Sequence, residues 1–311
     1  MAIGVVVNPT AGGGRMGRVW PKMAKALTAR LGDLKVEMTD GPGQACDLAR
    51  QLAMDGAELV IAAGGDGTVS DVVTGLLQAR VANGRTADLA VLAVGTGSDF
   101  ARGLTLGADA ARLAERIASG ERRVLDAGRV SFVNDDGALA TRHFINIASL
   151  GVSGSIDRVV NAAKRSGYLP GKLTFLWHTV RALIGHRFET VRVTVDDGKP
   201  LEARIALVAI ANAPYFGGGM KIAPDAAPDD GMLEVVIVRA ASKLRLIADL
   251  RLVYSGSHAT SPSCIFLRGR KIVVEPVGGA ANASLLDIDG ESPGRIPATF
   301  EVIPNAIALR G

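Results

Sequence analysis

Three polar, glycine-rich stretches stand where apolar runs stop. They are Asn8-Pro9-Thr10-Ala11-Gly12-Gly13-Gly14, Gly64-Gly65-Asp66-Gly67-Thr68 and Gly95-Thr96-Gly97-Ser98-Asp99-Phe100-Ala101-Arg102. Successive glycines let backbone N–H groups come close to a phosphate, and a helix opening behind them adds a favourable partial charge. The second stretch is the sharpest. Asp66 there could orient a metal-bound phosphate or a reacting hydroxyl, whereas a purely structural reading makes it a tight turn capped by Asp or Thr. Asp99 could likewise hold a ligand or cap the next helix. The first stretch, read on through Arg15-Met16-Gly17 with Glu37 beyond, also fits a dinucleotide fingerprint. That reading leaves the other two loops without a purpose. No G-x-x-x-x-G-K-[ST] segment and no protein-kinase catalytic loop is present.

Loops of this kind need a frame, and the chain supplies one. Ile3–Val7, Lys35–Met38, Leu59–Ala63 and Leu89–Val94 read as strands. Met16–Leu31, Gln44–Asp55, Val69–Ala79 and Asp109–Ser119 read as helices between and after them. Strands apolar on both faces and separated by helices indicate a parallel sheet covered on two sides, with ligand loops at the carboxyl ends of its strands. Beyond Asp126 the pattern changes to closely spaced strands: Arg129–Val133, Phe144–Ser149, Val191–Val195, Ala203–Ile210, Leu233–Val238, Ile265–Leu267 and Lys271–Val274. Asp196-Asp197-Gly198-Lys199 reads as a hairpin turn between two of them. An antiparallel sandwich or barrel is expected there, with a helical insert over Ser155–Gly185 and another helix near Ser242–Tyr254. The expected division is a nucleotide-binding α/β domain over 1–126 and a β-sandwich over 127–296, with the tail 297–311 returning to the first.

Composition bounds the function. The chain has 311 residues, 48% of them hydrophobic and only 4% aromatic, which is ample for two cores built from aliphatic side chains. Cys46 and Cys264 follow no ligand spacing, and the scattered histidines add none, so a reducing, cytoplasmic setting is expected rather than a disulfide or zinc framework. The chain enters a strand at once, and no apolar run approaches a membrane span, so a soluble or peripheral protein is expected, the latter at the inner face of a membrane. A net charge of +4 leans mildly toward acidic partners. In the insert, Arg158, Lys164, Arg165, Lys172, Arg181 and Arg187 stand against Asp157 and Glu189, with Leu169, Leu173, Phe175, Leu176 and Trp177 interleaved. This pattern could make transient contact with an anionic membrane surface, or be a packed helix with solvated charges. Nucleic acid is not an expected partner, and a homodimer is left open.

The three loops resemble the nucleotide motifs of the diacylglycerol kinase catalytic domain family, which also contains sphingosine and ceramide kinases and is distantly similar to NAD kinases and 6-phosphofructokinases. The resemblance continues through Asn212, Gly217-Gly218-Gly219 and Pro224-Asp225-Ala226, then Asp230-Gly231-Met232-Leu233, then Asp287-Ile288-Asp289-Gly290-Glu291. It implies an ATP- and Mg-dependent lipid kinase with a lipid hydroxyl as acceptor. The backbones of Asn8–Gly14 and Gly64–Thr68 would cradle phosphates, Thr39, Gly95, Thr96, Gly97 and Asp99 would contact the nucleotide, and Asp66 would help position Mg-bound phosphates. Glu291 would be the general base with Asp289 beside it, since an ionised neighbour raises a carboxylate's proton affinity. Without the resemblance, Asp289-Gly290 reads as a hairpin turn. Asp230, with the carbonyls of Ala227 and Met232, would hold a structural Mg ion. The third loop departs from the family's G-T-x-N-D-F-A at Ser98, which stands in place of Asn. Two alternatives remain at this point: an NAD-kinase-type small-molecule kinase and a non-catalytic nucleotide-binding regulator.

Overall fold

The computed structural model describes residues 1–94, 98–156, 183–279 and 283–311. The chain divides into two units, Met1–Ala127 with Pro304–Gly311, and Gly128–Ile303.

The first unit is built on a parallel sheet. Its strands are β1 (Ile3–Val7), β2 (Leu34–Met38), β3 (Leu59–Gly64) and β4 (Asp88–Ala93). β1 pairs with both β2 and β3, and β3 with β4, all parallel. The end of β14 (Gly294–Arg310) adds a further parallel neighbour, with Leu309 beside Leu89. β1, β3 and β4 are buried at every position, which is why they read as unbroken apolar runs, whereas the edge strand β2 leaves Val36 and Met38 exposed. The helices are α1 (Ala11–Leu31), α2 (Gln44–Met54), α3 (Asp66–Asn83), α4 (Asp99–Gly103) and α5 (Ala110–Ser119). Met16, Trp20 and Leu27 of α1 and Leu113 and Ile117 of α5 cover one face of the sheet through Val5, Val7, Ile61 and Leu92. On α3, a Cβ at Gly75 would collide with the Cys46 carbonyl of α2, so the close approach of these helices requires glycine there.

The second unit is antiparallel. Its strands are the latter part of β5 (Arg122–Asn134), then β6 (Leu139–Phe144), β7 (Ile147–Gly151), β8 (Glu189–Val195), β9 (Leu201–Ala211), β10 (Leu233–Arg239), β11 (Cys264–Gly269), β12 (Lys271–Pro276), β13 (Leu286–Ile288) and the first part of β14. One path runs β11-β10-β9-β8-β12-β14. The long strand β9 pairs with β8 along its first half and with β7 along its second, and β7 carries β13. β5 and β6 form a hairpin whose turn is tied by the Asn134 side chain accepting from Asp136 N–H and Ala138 N–H. Phe132, Phe144, Leu150, Ile210, Val235, Leu286 and Phe300 fill the core, with the Phe144 and Phe300 rings edge to face at 6.5 Å. The helix α6 (Lys243–Ser255) begins at Ser242, whose hydroxyl accepts from Arg245 N–H.

Three expectations change. The tail rejoins the first unit at Pro304 rather than at 297, because Ala298–Glu301 is paired to β12 in the second unit. The segment expected as one strand over Phe144–Ser149 is two strands, broken at Ile145–Asn146. Of the helical insert, residues 157–182 lie outside the described residues, and with them Asp157, Arg158, Lys164, Arg165, Leu169, Lys172, Leu173, Phe175, Leu176, Trp177 and Arg181; Arg187 and Glu189 are described.

Candidate active site

In the first unit, strand register brings the loops together. Val7 is level with Met38 on one side and Ala63 on the other, and Ala63 with Leu92. The carboxyl ends of all four strands therefore share one edge, where parallel α/β sheets bind ligands. Gly12, Gly13 and Gly14 hold φ of 61°, 69° and 77°, a left-handed run that L side chains resist. Thr39 is buried at the end of β2, its N–H donating to the Val7 carbonyl at 2.9 Å.

Side chains lace these loops to one another. Asn8 Nδ2 donates to Thr68 Oγ1 at 3.1 Å, joining the first loop to the second. Asn8 Oδ1 accepts from the Thr10 N–H at 3.1 Å and the Thr10 hydroxyl at 2.7 Å. Asp66 bridges two of the loops. Its Oδ2 accepts the Asp99 N–H at 3.0 Å and its Oδ1 the Phe100 N–H at 3.1 Å. The carboxylate thus caps the amino end of α4 and ties the second loop to the third; a charge-assisted bond to otherwise orphaned helix N–H groups is its use here. Asp99 is buried, and its Oδ1 receives Arg102 Nη1 at 2.5 Å. Ser98, not Asp99, stands at the N-cap, at φ 49°. Asn tolerates that left-handed conformation better than Ser does, so the departure from the family pattern falls at a strained position. Gly95, Thr96 and Gly97 lie outside the described residues.

In the second unit, Asp289 and Gly290 are a two-residue hairpin turn with φ of 49° and 88°. Ile288 and Glu291 exchange backbone hydrogen bonds of 2.7 and 3.1 Å across it. The Asp289 carboxylate reaches back to another segment: Oδ2 accepts Ile145 N–H at 2.9 Å, and Oδ1 accepts Asn146 N–H at 3.1 Å and Ile147 N–H at 2.9 Å. These bonds replace ladder hydrogen bonds at Ile145–Asn146 and explain why β6 and β7 are separate. Glu291 is exposed at the turn and its carboxylate has no protein partner among the described residues. Turn and catalytic readings of Asp-Gly-Glu are therefore compatible: the turn is what presents Glu291.

Around this turn lie groups without an assigned role in the sequence. Asp287 is buried; its Oδ1 accepts Gly290 N–H at 2.8 Å and its Oδ2 lies 2.9 Å from the Ser149 hydroxyl, itself 2.8 Å from Ser153 Oγ. Asn146 Nδ2 donates to the Tyr215 carbonyl at 2.7 Å, and Asn212 Nδ2 to the Ile145 carbonyl at 2.8 Å. The Asn212–Gly219 and Asp287–Glu291 motifs are thus gathered by one short segment, Ile145–Ile147. A carboxylate between Leu286 and Ile288 was the available signal for Asp287, since an acid inside an apolar strand needs a buried partner.

The structure gives Asp230 partners other than those of a metal ligand. Its Oδ1 accepts Met232 N–H at 3.0 Å, and its Oδ2 is paired with Arg268 Nη2. Arg268 Nε also meets Glu234 Oε1 at 3.0 Å, from the directly opposite position on β11. Burial pushes the Glu234 carboxyl up and Arg268 draws it back. Among the described residues no group of three or more His, Cys, Asp or Glu side chains is arranged to hold a metal ion. The positive partner of Asp230 in this arrangement is the Arg268 guanidinium.

Comparison with known proteins bears on both units. Residues 2–130 match the model of the diacylglycerol kinase catalytic domain, and residues 146–311 that of the YegS C-terminal NAD kinase beta sandwich-like domain. By the second match, over more than half of its length, the chain belongs to the family of the YegS C-terminal NAD kinase beta sandwich-like domain, and by the first it carries a diacylglycerol kinase catalytic domain. With it, the chain is a lipid kinase, a phosphotransferase. A diacylglycerol kinase of Bacillus subtilis (strain 168) is 28% identical over 297 residues, covering 95% of this chain and 91% of that protein. One from Staphylococcus carnosus (strain TM300) is 24% identical, covering 95% and 90%. A solved Bacillus anthracis str. Sterne structure described as a diacylglycerol kinase superposes with a TM-score of 0.71 at 23% identity, covering 99% of this chain and 96% of that one. A second from that organism, described as a candidate member, gives 0.77 at 23%, covering 99% and 94%. The α/β unit followed by an antiparallel β-sandwich-like unit is the architecture expected from the sequence.

Proposed function

We propose that this lipid kinase transfers the γ-phosphoryl group of ATP, carried as its magnesium complex, to the hydroxyl of a diacylglycerol-like lipid. The observation that supports this most is the turn at Asp289-Gly290, which holds Glu291 exposed, its carboxylate without a protein partner among the described residues. Glu291 accepts the proton of the lipid hydroxyl as its oxygen attacks the γ-phosphorus. Asp289 is the positioning residue: bound to three backbone N–H groups, it fixes the turn. Backbone N–H groups of Asn8–Gly14 and Gly64–Thr68 and the amino end of α3 hold the phosphates, with Thr39 and the third loop (Gly95, Thr96, Gly97 and Asp99) completing the nucleotide site. Magnesium bound to the nucleotide supplies charge neutralisation on the phosphates.

Brief contact with a membrane surface follows from the substrate; among the described residues no helix is long and apolar enough to cross one. The test is radiolabelled ATP with a panel of diacylglycerol, sphingoid base and phosphatidylglycerol, and NAD as the small-molecule arm. Phosphate on diacylglycerol is the expected result; phosphate on NAD alone, or on nothing, overturns it.

A further inference from the structure

A cavity of about 610 Å³ opens in the second unit, and none of the candidate site residues lines it. Its wall includes His186, Arg187, Phe188, Arg204, Ser242 and Lys243. The basic groups come from separate elements. His186 and Arg187 precede β8, Arg204 is on β9, and Lys243 is the first residue of α6. The Arg204 guanidinium lies 5.8 Å from the centre of the Phe188 ring, and the His186 ring packs edge-on to that same ring at 6.0 Å. Phe188 therefore fixes two of the bases in one place.

None of these four basic side chains has a carboxylate partner among the described residues. The contrast is local: Arg192 of β8 is paired with Glu202 at 2.7 Å, and Arg245, two residues into α6 from Lys243, with Asp249 at 3.7 Å. Lys243 Nζ donates to the Ile184 carbonyl, a neutral acceptor. His186 Nε2 is buried with no hydrogen-bond partner among the described residues. Burial, then the nearby Lys243 charge, push the His186 imidazole below its ordinary range. The charges of Arg187, Arg204 and Lys243 gathered around a cavity repel one another, and a bound anion relieves that repulsion. The amino end of α6, thirteen residues long, adds its partial positive charge on the same side.

We propose that this cavity is a binding site for a phosphate group, contacted by Arg187, Arg204, Lys243 and His186. Arginine forks and a helix amino end suit phosphate oxygens, and the cavity has room for a glycerol-phosphate-sized headgroup as well as the ion alone. The phosphate can belong to a soluble ester or to an anionic lipid at a membrane surface. This inference does not rest on the catalytic reading, and binding is its readout.

The test uses the full chain and two variants, Arg187→Ala at an exposed position and Lys243→Ala at a half-buried one. Calorimetry with inorganic phosphate and with glycerol 3-phosphate forms the soluble arm. Flotation with phosphatidylcholine vesicles, with and without phosphatidylglycerol, forms the lipid arm. Binding in the soluble arm that weakens about tenfold in each variant supports the site with a free phosphate as ligand. Binding confined to phosphatidylglycerol vesicles and weakened by the same variants supports it with a lipid headgroup as ligand. Binding in neither arm overturns the proposal. So does binding of equal strength in parent and variants, as phosphate held by the glycine loops of the first unit would show.

Discussion

Replacing Asp289 with Asn removes the charge but almost none of the volume, and it isolates what the carboxylate does. Asp289 Oδ1 accepts Asn146 and Ile147 N–H, and Oδ2 accepts Ile145 N–H. In Asp289→Asn the amide oxygen can serve only one side, so at least one N–H then faces the NH₂ group. An unsatisfied buried donor costs about 1–3 kcal/mol, and the surviving bonds lose their charge assistance, so a loss of about 2–4 kcal/mol follows. Ile145, Asn146 and Ile147 are all buried, which leaves water little chance to replace the lost acceptor. For a unit of this size each kcal/mol shifts Tm by roughly 2–4 °C, so a fall of about 4–16 °C is expected. The assay is thermal unfolding followed by circular dichroism, with amide exchange read at residues 145–147. Exchange there should accelerate more than at Val235 in the core. A Tm within about 1 °C of the parent and unchanged exchange would falsify the assignment of Asp289 as the anchor that separates β6 from β7.

Four further perturbations follow from the same geometry. Glu291→Gln should leave Tm and ATP affinity unchanged, because the side chain is exposed, while steady-state turnover falls about 10²–10⁴-fold as the base is lost; an unaltered rate would remove Glu291 from the mechanism. Asp66→Asn should weaken ATP binding and cost about 1–3 kcal/mol by uncapping α4, both measured by unfolding with and without nucleotide. Parent Tm should be the same in magnesium and in chelator, since Arg268 already neutralises Asp230, whereas Arg268→Gln should make Tm rise with added magnesium; a parent that loses stability in chelator refutes Arg268 as the positive partner of Asp230. His143 is held below its ordinary range by burial and then by Arg129. A depressed imidazole binds its proton more readily in the unfolded chain, so its contribution is present above about pH 6.5 and is lost as pH falls below that value. His143→Gln should flatten the decline of Tm between neutral and mildly acid pH, and a parallel curve would discard the assignment.

The nucleotide-side motifs were legible because a fully buried parallel strand and a glycine loop are both local signals. Ile3–Val7 announces itself by five consecutive apolar or small residues, and Gly64–Thr68 by types that only a phosphate loop or a tight turn requires. Register then needed no further information, since parallel strands joined by helices align their carboxyl ends. The expectations that failed all depended on distant partners. Phe144–Ser149 has the composition of one strand, and only the Asp289 carboxylate, more than a hundred residues later, interrupts it. The three-residue strand β13 has too little length for a periodic signal and exists because β7 pairs with it.

Asp66 and Asp230 mark the boundary between the two kinds of knowledge most clearly. Residue type and neighbours identified each as a carboxylate in a ligand-type loop, and the family match rests on that alone. Which atoms each carboxylate meets is a question of three-dimensional proximity. The N–H groups of Asp99 and Phe100 are 33 and 34 positions from Asp66, and the Arg268 guanidinium is 38 from Asp230. A carboxylate is satisfied equally by a phosphate-bound metal, a helix amino end or a guanidinium, so its chemistry is written in the chain, while its partner is chosen by packing.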